Sequence, residues 1–307
     1  MTEGDGGVAP SGEQFEISSG GQRAVVVEVG GGLRTYTVDG RDVLDGYARD
    51  ELARSGRGQV LAPWPNRIED GSYEFDGSPQ QLALTEPRAH NAIHGLVRWA
   101  AWRASEQRTD AVVMEHVVHP QPGYPFTLAL RVEYSLAETG LAVRTTARNL
   151  GHVACPYGAG QHPYFTLGTS TVDALELTLP AARVFDRDER GLPIGSRSVA
   201  GTEFDFRGTR TIGSMRLDHA FTDLERDGDG RARVALRSPE DRRLIVWVDA
   251  SYGYLMVFTG DPLPDVARRS VAIEPMTCPP NAFRTGEGFV RLESGESFEC
   301  SWGVGPS

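Results

Sequence analysis

From Phe126 to Leu136 every second residue is apolar: Leu128, Leu130, Val132, Tyr134 and Leu136 point one way, Arg131 and Glu133 the other. Only an extended strand sorts neighbours onto opposite faces with this period. Glu138-Thr139-Gly140 then supplies a turn, and Leu141, Val143 and Thr145 resume the alternation, which predicts a hairpin. Arg23 to Val29 and Leu33 to Val38, around Gly30-Gly31-Gly32, predict a second. Ala232 to Leu236 and Leu244 to Val248, around Pro239-Glu240-Asp241, predict a third. Val271 to Ile273 and Phe298 to Trp302 read as further strands. Val43 to Ala53 is the one stretch that suggests a short helix. With 36 glycines and 19 prolines cutting 307 residues into short strands, the expected class is all-β, a sandwich or a barrel. No fixed-period repeat points to a propeller. No linker divides the chain, so a single domain is expected over residues 15–307, behind a loose Gly- and acid-rich tail over residues 1–14.

Charge and chemistry narrow the function. A net charge of -11 argues against a nucleic-acid surface and against docking on anionic lipid. No apolar run is long enough for a membrane-spanning helix. Met1 to Gln14 has no apolar core of the kind a secretory signal needs, so a soluble, cytoplasmic protein is expected. All 31 basic residues are arginine, and without lysine there is no Schiff base, no pyridoxal phosphate anchor and no P-loop. Cys155, Cys278 and Cys300 are widely spaced, which fits free buried thiols and neither a zinc site nor a disulfide framework. Asp227 to Gly230 lacks the further ligands of a calcium loop, and the Gly158-Ala159-Gly160 run is followed by Gln-His-Pro instead of a dinucleotide-binding helix. His116 and His119 would leave a strand on opposite faces. No metal and no cofactor are expected.

The residues left with chemical potential sit at strand ends. His94 lies in NAIHG and His162 in GAGQHPYF, among the glycine, proline and aromatic residues of irregular loops, where function concentrates. A lone histidine in such a place is ordinarily a hydrogen-bonded structural side chain. Glu274 follows the apolar run Val271 to Ile273 and precedes Pro275, so its carboxylate should be partly desolvated and more basic than usual. Asp218 in RLDHAF is a second carboxylate of interest. Arg67 in PWPNRIEDG could fork a pair of hydroxyls or fix a carboxylate. On their own these residues describe a β-rich protein with a histidine–carboxylate site.

Taken in order, Asn66-Arg67-Ile68, Asn91-x-x-His94-Gly95, His162-Pro163-Tyr164-Phe165, Leu217-Asp218-His219 and Glu274-Pro275 resemble the aldose 1-epimerase (galactose mutarotase) family, over about Arg23 to Trp302. The resemblance implies a large antiparallel β-sandwich and the interconversion of α and β anomers of a free hexose by ring opening, with a small-molecule sugar as partner. It implies Glu274 as the base at the C1 hydroxyl, His162 as the acid at the ring oxygen, and His94 stabilising charge beside that oxygen. Arg67 and Asp218 would hold sugar hydroxyls, with Asn66 and Tyr164 as further binding residues. Trp64, Tyr164 and Phe283 could pack on apolar faces of a sugar. The match departs from the family at Leu96, at Thr166 and at Met256, where classical members carry glutamine; losing that amide removes a hydrogen bond to a sugar hydroxyl. Two other readings stay open: a hexose-6-phosphate 1-epimerase whose phosphate meets Arg98, Arg103 or Arg284, and a non-catalytic carbohydrate-binding protein of the same fold. Oligomeric state and the identity of the sugar stay open too.

Overall fold

A computed structural model of the chain describes residues 8–306, and nearly all of its regular structure is strand. The hairpin predicted from the period-two run is the spine of the molecule. Leu128–Ala137 pairs with Gly140–Asn149 along its whole length, and along Leu128–Leu136 the even-numbered residues are buried while the odd-numbered ones are partly exposed. These two strands lie inside a nine-stranded antiparallel sheet. Its strand order is Arg103–Gln107, Ala111–Val118, Leu128–Ala137, Gly140–Asn149, Ser297–Pro306, Arg243–Val248, Ala232–Arg237, Glu176–Thr178 and Arg210–Thr211. A second, eight-stranded sheet has Tyr254–Phe258 and Val271–Met276 paired at its centre, with Asp218–Leu224 beside the former and Gly160–Gln161 and Tyr164–Phe165 against the latter. A four-stranded sheet at the N-terminus contains Gln22–Val27 and Leu33–Val38, the second predicted hairpin. The only α-helix among the described residues is the single turn Ala282–Thr285.

The sequence reading needs two corrections here. Val43 to Ala53 is not helical. Leu44 bridges Phe165, and the Asp45 N–H donates to the Tyr164 carbonyl, so the start of this stretch runs along the second sheet and the rest is loop, with a turn at Arg49 and Asp50. The reason is Asp45, whose carboxylate is claimed by Arg57, Arg269 and Ser270 from distant parts of the chain. Those tertiary partners outweigh a weak local propensity. At the N-terminus, residues 1–7 of the expected tail lie outside the described residues. The remaining stretch to Gln14 is tied down: Ser11 is buried, and its carbonyl accepts from the Val29 N–H.

One buried side chain stitches the two large sheets together. Gln161 accepts a hydrogen bond from the indole N–H of Trp302 and donates to the Tyr134 hydroxyl at 2.9 Å; that hydroxyl donates in turn to the Gly31 carbonyl at 2.6 Å. Tyr134 and Trp302 belong to the nine-stranded sheet, whereas Gln161 precedes His162 on the second. All three side chains are buried, so no water can replace a missing partner. Gln161→Leu leaves the Trp302 N–H without an acceptor and should destabilise the fold by about 1–3 kcal/mol in urea unfolding. A loss below about 0.5 kcal/mol, the scale of an ordinary surface substitution, would show that this link is dispensable.

Candidate active site

The register of the second sheet decides which side chains meet. Asp218 lies opposite Phe258, Ala220 opposite Met256, Met256 opposite Glu274, and both Phe258 and Tyr164 opposite Ala272. Cross-strand partners share a face, so Asp218, Met256, Phe258, Glu274 and Tyr164 emerge on one side. The intervening residues, Phe221, Leu255, Val257 and Ile273, turn the other way into the main core. The same alternation sends Gln161 to the core and His162 to the outer face. That outer face is the floor of a cavity of about 330 Å³, within the usual range for a small-ligand site. Asn66, Arg67, His94, His162, Tyr164, Asp218 and Glu274, picked out from the sequence, all line it. A larger groove of about 960 Å³ runs along the edge strand Arg103–Gln107, but Arg103 there is already paired with the Glu115 carboxylate.

At the cavity floor Glu274 Oε1 stands 3.3 Å from His162 Nε2, with both side chains almost wholly buried. Burial disfavours the charged form of each. It pushes the Glu274 carboxyl well above its usual range, with help from Asp218 and opposition from Arg67, and it pulls the His162 imidazole from 6.5 down to about 3, aided by the charges of Arg98 and Arg57. A buried pair so placed favours sharing one proton as a neutral acid and a neutral base over forming an ion pair. His162 Nδ1 and Glu274 Oε2 have no hydrogen-bond partner among the described residues.

His94 completes the group, its ring lying 5.4 Å from that of His162, edge to face. Its Nδ1 accepts from the backbone N–H of Asn66 at 3.2 Å. An amide N–H can only donate, so the proton of neutral His94 must sit on Nε2. Burial and the nearby charges of His162, Arg98 and Arg67 hold this ring well below its ordinary pKa, which keeps it neutral. The His94, His162 and Glu274 donor atoms lie within 4.8 Å of one another, a spacing that resembles a two-histidine, one-carboxylate metal site. The tautomer argues otherwise. An Nε2 that carries a proton offers no lone pair to a metal, and Nδ1 is already engaged.

The surrounding residues hold these groups in place. Tyr164 stacks on His162 with ring centroids 4.8 Å apart, Arg57 lies 4.3 Å from the other ring's centroid, and the Tyr164 hydroxyl donates to the Ser55 carbonyl. Gly56, at φ +77°, passes so close that a Cβ there would come within 2.6 Å of the His162 ring, which leaves room for glycine alone. Arg67 makes a two-pronged pair with Glu86 at 2.8 and 2.9 Å, and Asn91 donates to the same carboxylate. Asn66 Oδ1 accepts from the Arg67 N–H, so its side chain braces the turn as well as lining the cavity. Asp218 is paired with Arg187 at 3.3 Å.

Other sequence expectations fall outside the site. Trp64 and Phe283 pack against each other in the core, ring centroids 5.8 Å apart, and do not line the cavity. Aromatic character alone could not separate a sugar platform from a core ring. Phe258 and Tyr164 are the aromatic rings in the wall. Arg103 and Arg284 do not reach the cavity either, so the three arginines form no clamp; Arg98 alone lines it. Thr166 caps a turn by accepting from the Gly168 N–H. Met256 is buried in the wall directly opposite Glu274. Sequence reasoning missed Glu86, Phe258 and Leu263. Phe258 carried a signal, because it sits two residues from Met256 on the same face.

Comparison with known proteins identifies the family. The family model described as aldose 1-epimerase matches residues 13–302. The chain belongs to the aldose 1-epimerase family. It is 36% identical to the Escherichia coli protein YihR over 93% of this chain and 91% of that one. It is 26% identical to the Escherichia coli protein named aldose 1-epimerase, over 83% of this chain and 81% of that one. Among solved structures, a GalM/aldose epimerase homologue from C. elegans superimposes with a TM-score of 0.85 at 19% identity, covering 96% of this chain and 99% of that one. The multi-sheet antiparallel architecture is the galactose mutarotase-like β-sandwich, and it carries a histidine–histidine–glutamate cluster.

The buried histidine makes a signed prediction for this aldose 1-epimerase family member. An unfolded His162 titrates near 6.5 and the folded one near about 3. Between those values the unfolded chain binds the extra proton. The stability held by a neutral His162 is therefore complete above pH 6.5 and is lost as the pH falls towards 3, at about 1.4 kcal/mol per pH unit. Unfolding free energies between pH 6.5 and roughly pH 5 should accordingly fall less steeply in His162→Asn than in the parent. Parallel slopes would show that the folded ring is already protonated.

Proposed function

We propose that this chain is an aldose 1-epimerase that interconverts the α and β anomers of an aldose by acid–base opening of the ring. The observation that carries the reading is the 3.3 Å contact between Glu274 Oε1 and His162 Nε2 at the floor of a ligand-sized cavity. Ring opening must take a proton from the C1 hydroxyl and give one to the ring oxygen, one bond away. Ionised Glu274 takes the first as protonated His162 delivers the second. The C1–O5 bond breaks, its electrons stay on the oxygen, and C1 becomes an aldehyde carbon. Rotation about C1–C2 turns the other carbonyl face towards O5. His162 then takes the O5 proton back as Glu274 reprotonates the carbonyl oxygen, and the ring closes as the other anomer.

Every proton is accounted for within the pair. Ring opening converts carboxylate and imidazolium into carboxylic acid and imidazole, the form that burial favours in the empty site. The enzyme's bias towards neutral partners therefore offsets part of the unfavourable free energy of the open-chain sugar. His94, donating from Nε2, stabilises charge that develops on the ring oxygen. Arg67, oriented by Glu86, and Asp218 hold hydroxyls, while Phe258 and Tyr164 supply apolar surface for the sugar's C–H faces.

A carbohydrate-binding protein of the same fold needs no facing acid and base, and both are present here. The test is polarimetry of freshly dissolved α-D-glucose and α-D-galactose with and without protein. Acceleration by the parent, cut at least about 100-fold in kcat by Glu274→Gln, is the expected result, the scale of a lost general base. His162→Asn should fall by a similar factor. Near-normal turnover in Glu274→Gln would remove that residue from the base position, and sugar binding without acceleration by the parent would leave a binding protein.

A further inference from the structure

Arg98 is a cation without a partner. Its guanidinium lines the catalytic cavity, yet it makes no hydrogen bond and no ion pair to any side chain or carbonyl among the described residues. Glu86 is the acid whose charge reaches it, but both oxygens of that carboxylate are taken by Arg67. The Trp99 ring lies 5.9 Å away and leaves the N–H groups free. Burial pulls Arg98 below the ordinary guanidinium value, although an arginine stays charged at any working pH. By contrast Arg67, which also lines the cavity, and Arg57 and Arg187, which touch its lining residues Tyr164 and Asp218, each have a carboxylate. A desolvated and uncompensated charge destabilises a fold unless something that binds there supplies the counter-charge.

Position narrows what that something is. Arg98 follows His94 by four residues on the same loop, and Gln59, whose carbonyl accepts from the His162 N–H at 3.2 Å, also holds the Arg98 backbone. Arg98 is thereby tied to the two rings assigned to the ring oxygen. The ring oxygen joins C1 to C5, and C5 carries C6. The backbone there is fixed, because the buried Gln59 donates to the Arg98 carbonyl at 2.8 Å.

We infer that the cavity accepts an aldose bearing an oxyanion at C6, with that anion held by Arg98. The inference rests on the anomerase reading above and specifies its substrate class. A forked, charge-assisted contact to a carboxylate or phosphate suits arginine's geometry and strengthens where water is excluded.

The experiment compares anomerisation of D-glucose, D-glucose 6-phosphate and D-glucuronate by NMR, for the parent and for Arg98→Gln. The two anionic sugars distinguish a phosphate from a carboxylate at C6. The parent should favour at least one of them over glucose in kcat/KM, and Arg98→Gln should lower that preference by about 10- to 100-fold. Because nothing in the empty fold pairs with Arg98, the variant should melt no lower than the parent. The favoured anionic sugar should raise the parent's Tm and leave that of the variant nearly unmoved. A parent that turns over glucose but neither anionic sugar would overturn the inference while leaving the anomerase reading intact, as would an unchanged preference in Arg98→Gln. A parent that accelerates none of the three, yet gains Tm with an anionic sugar, would overturn the anomerase reading and keep Arg98 as an anion site.

Discussion

The structure is organised around a carboxylate that has been removed from water. Every residue of the Val271–Met276 strand is buried, Glu274 included, and a carboxyl group in such a place cannot hold its charge without close partners. Its nearest titratable partner is His162, itself buried and itself resistant to charging. Each therefore depends on the other for a proton. The rest of the architecture holds this pair in place. Gln161 anchors the chain before His162 to the opposite sheet, Tyr164, itself backed by Arg57, stacks on one face of its ring, and Gly56 gives it room.

Much of this was legible in the sequence because one rule, alternation along a strand, both builds the fold and aims the site. The rule that put Leu128, Leu130 and Val132 in the core also put Met256, Phe258 and Glu274 on one face and Leu255, Val257 and Ile273 on the other. The residues that line the cavity were picked out through ordered motifs, each too weak alone. What stayed hidden depended on contacts between distant segments. Nothing near Glu86 in the chain announces that it orients Arg67, and nothing near Asp45 predicts that three remote partners will hold its segment along the second sheet. Trp64 and Phe283 failed as sugar platforms for the same reason, since burial is a property of the assembled sheets.

The β-sandwich that the chain shares with the aldose 1-epimerase family brings Glu274 and His162 face to face at the floor of a cavity. The cavity wall carries Met256 opposite Glu274, and Arg98, which has no partner among the described residues. An acidic protein that sets a half-buried arginine without a counter-charge into a cavity wall focuses positive potential on one small volume. The net charge of -11 is then no obstacle to an anionic sugar, because local arrangement outweighs the total.

The central claim is that Glu274 and His162 share a single proton and that, in the empty site, it rests on the carboxyl. Infrared difference spectroscopy of the parent against Glu274→Gln at neutral pH reads this directly, through the carbonyl stretch of a protonated carboxylic acid. The account predicts that band in the empty protein and its loss when a closed-ring sugar draws the pair into the carboxylate form. A carboxylate band for Glu274 in the empty protein, with an imidazolium at His162, would contradict it.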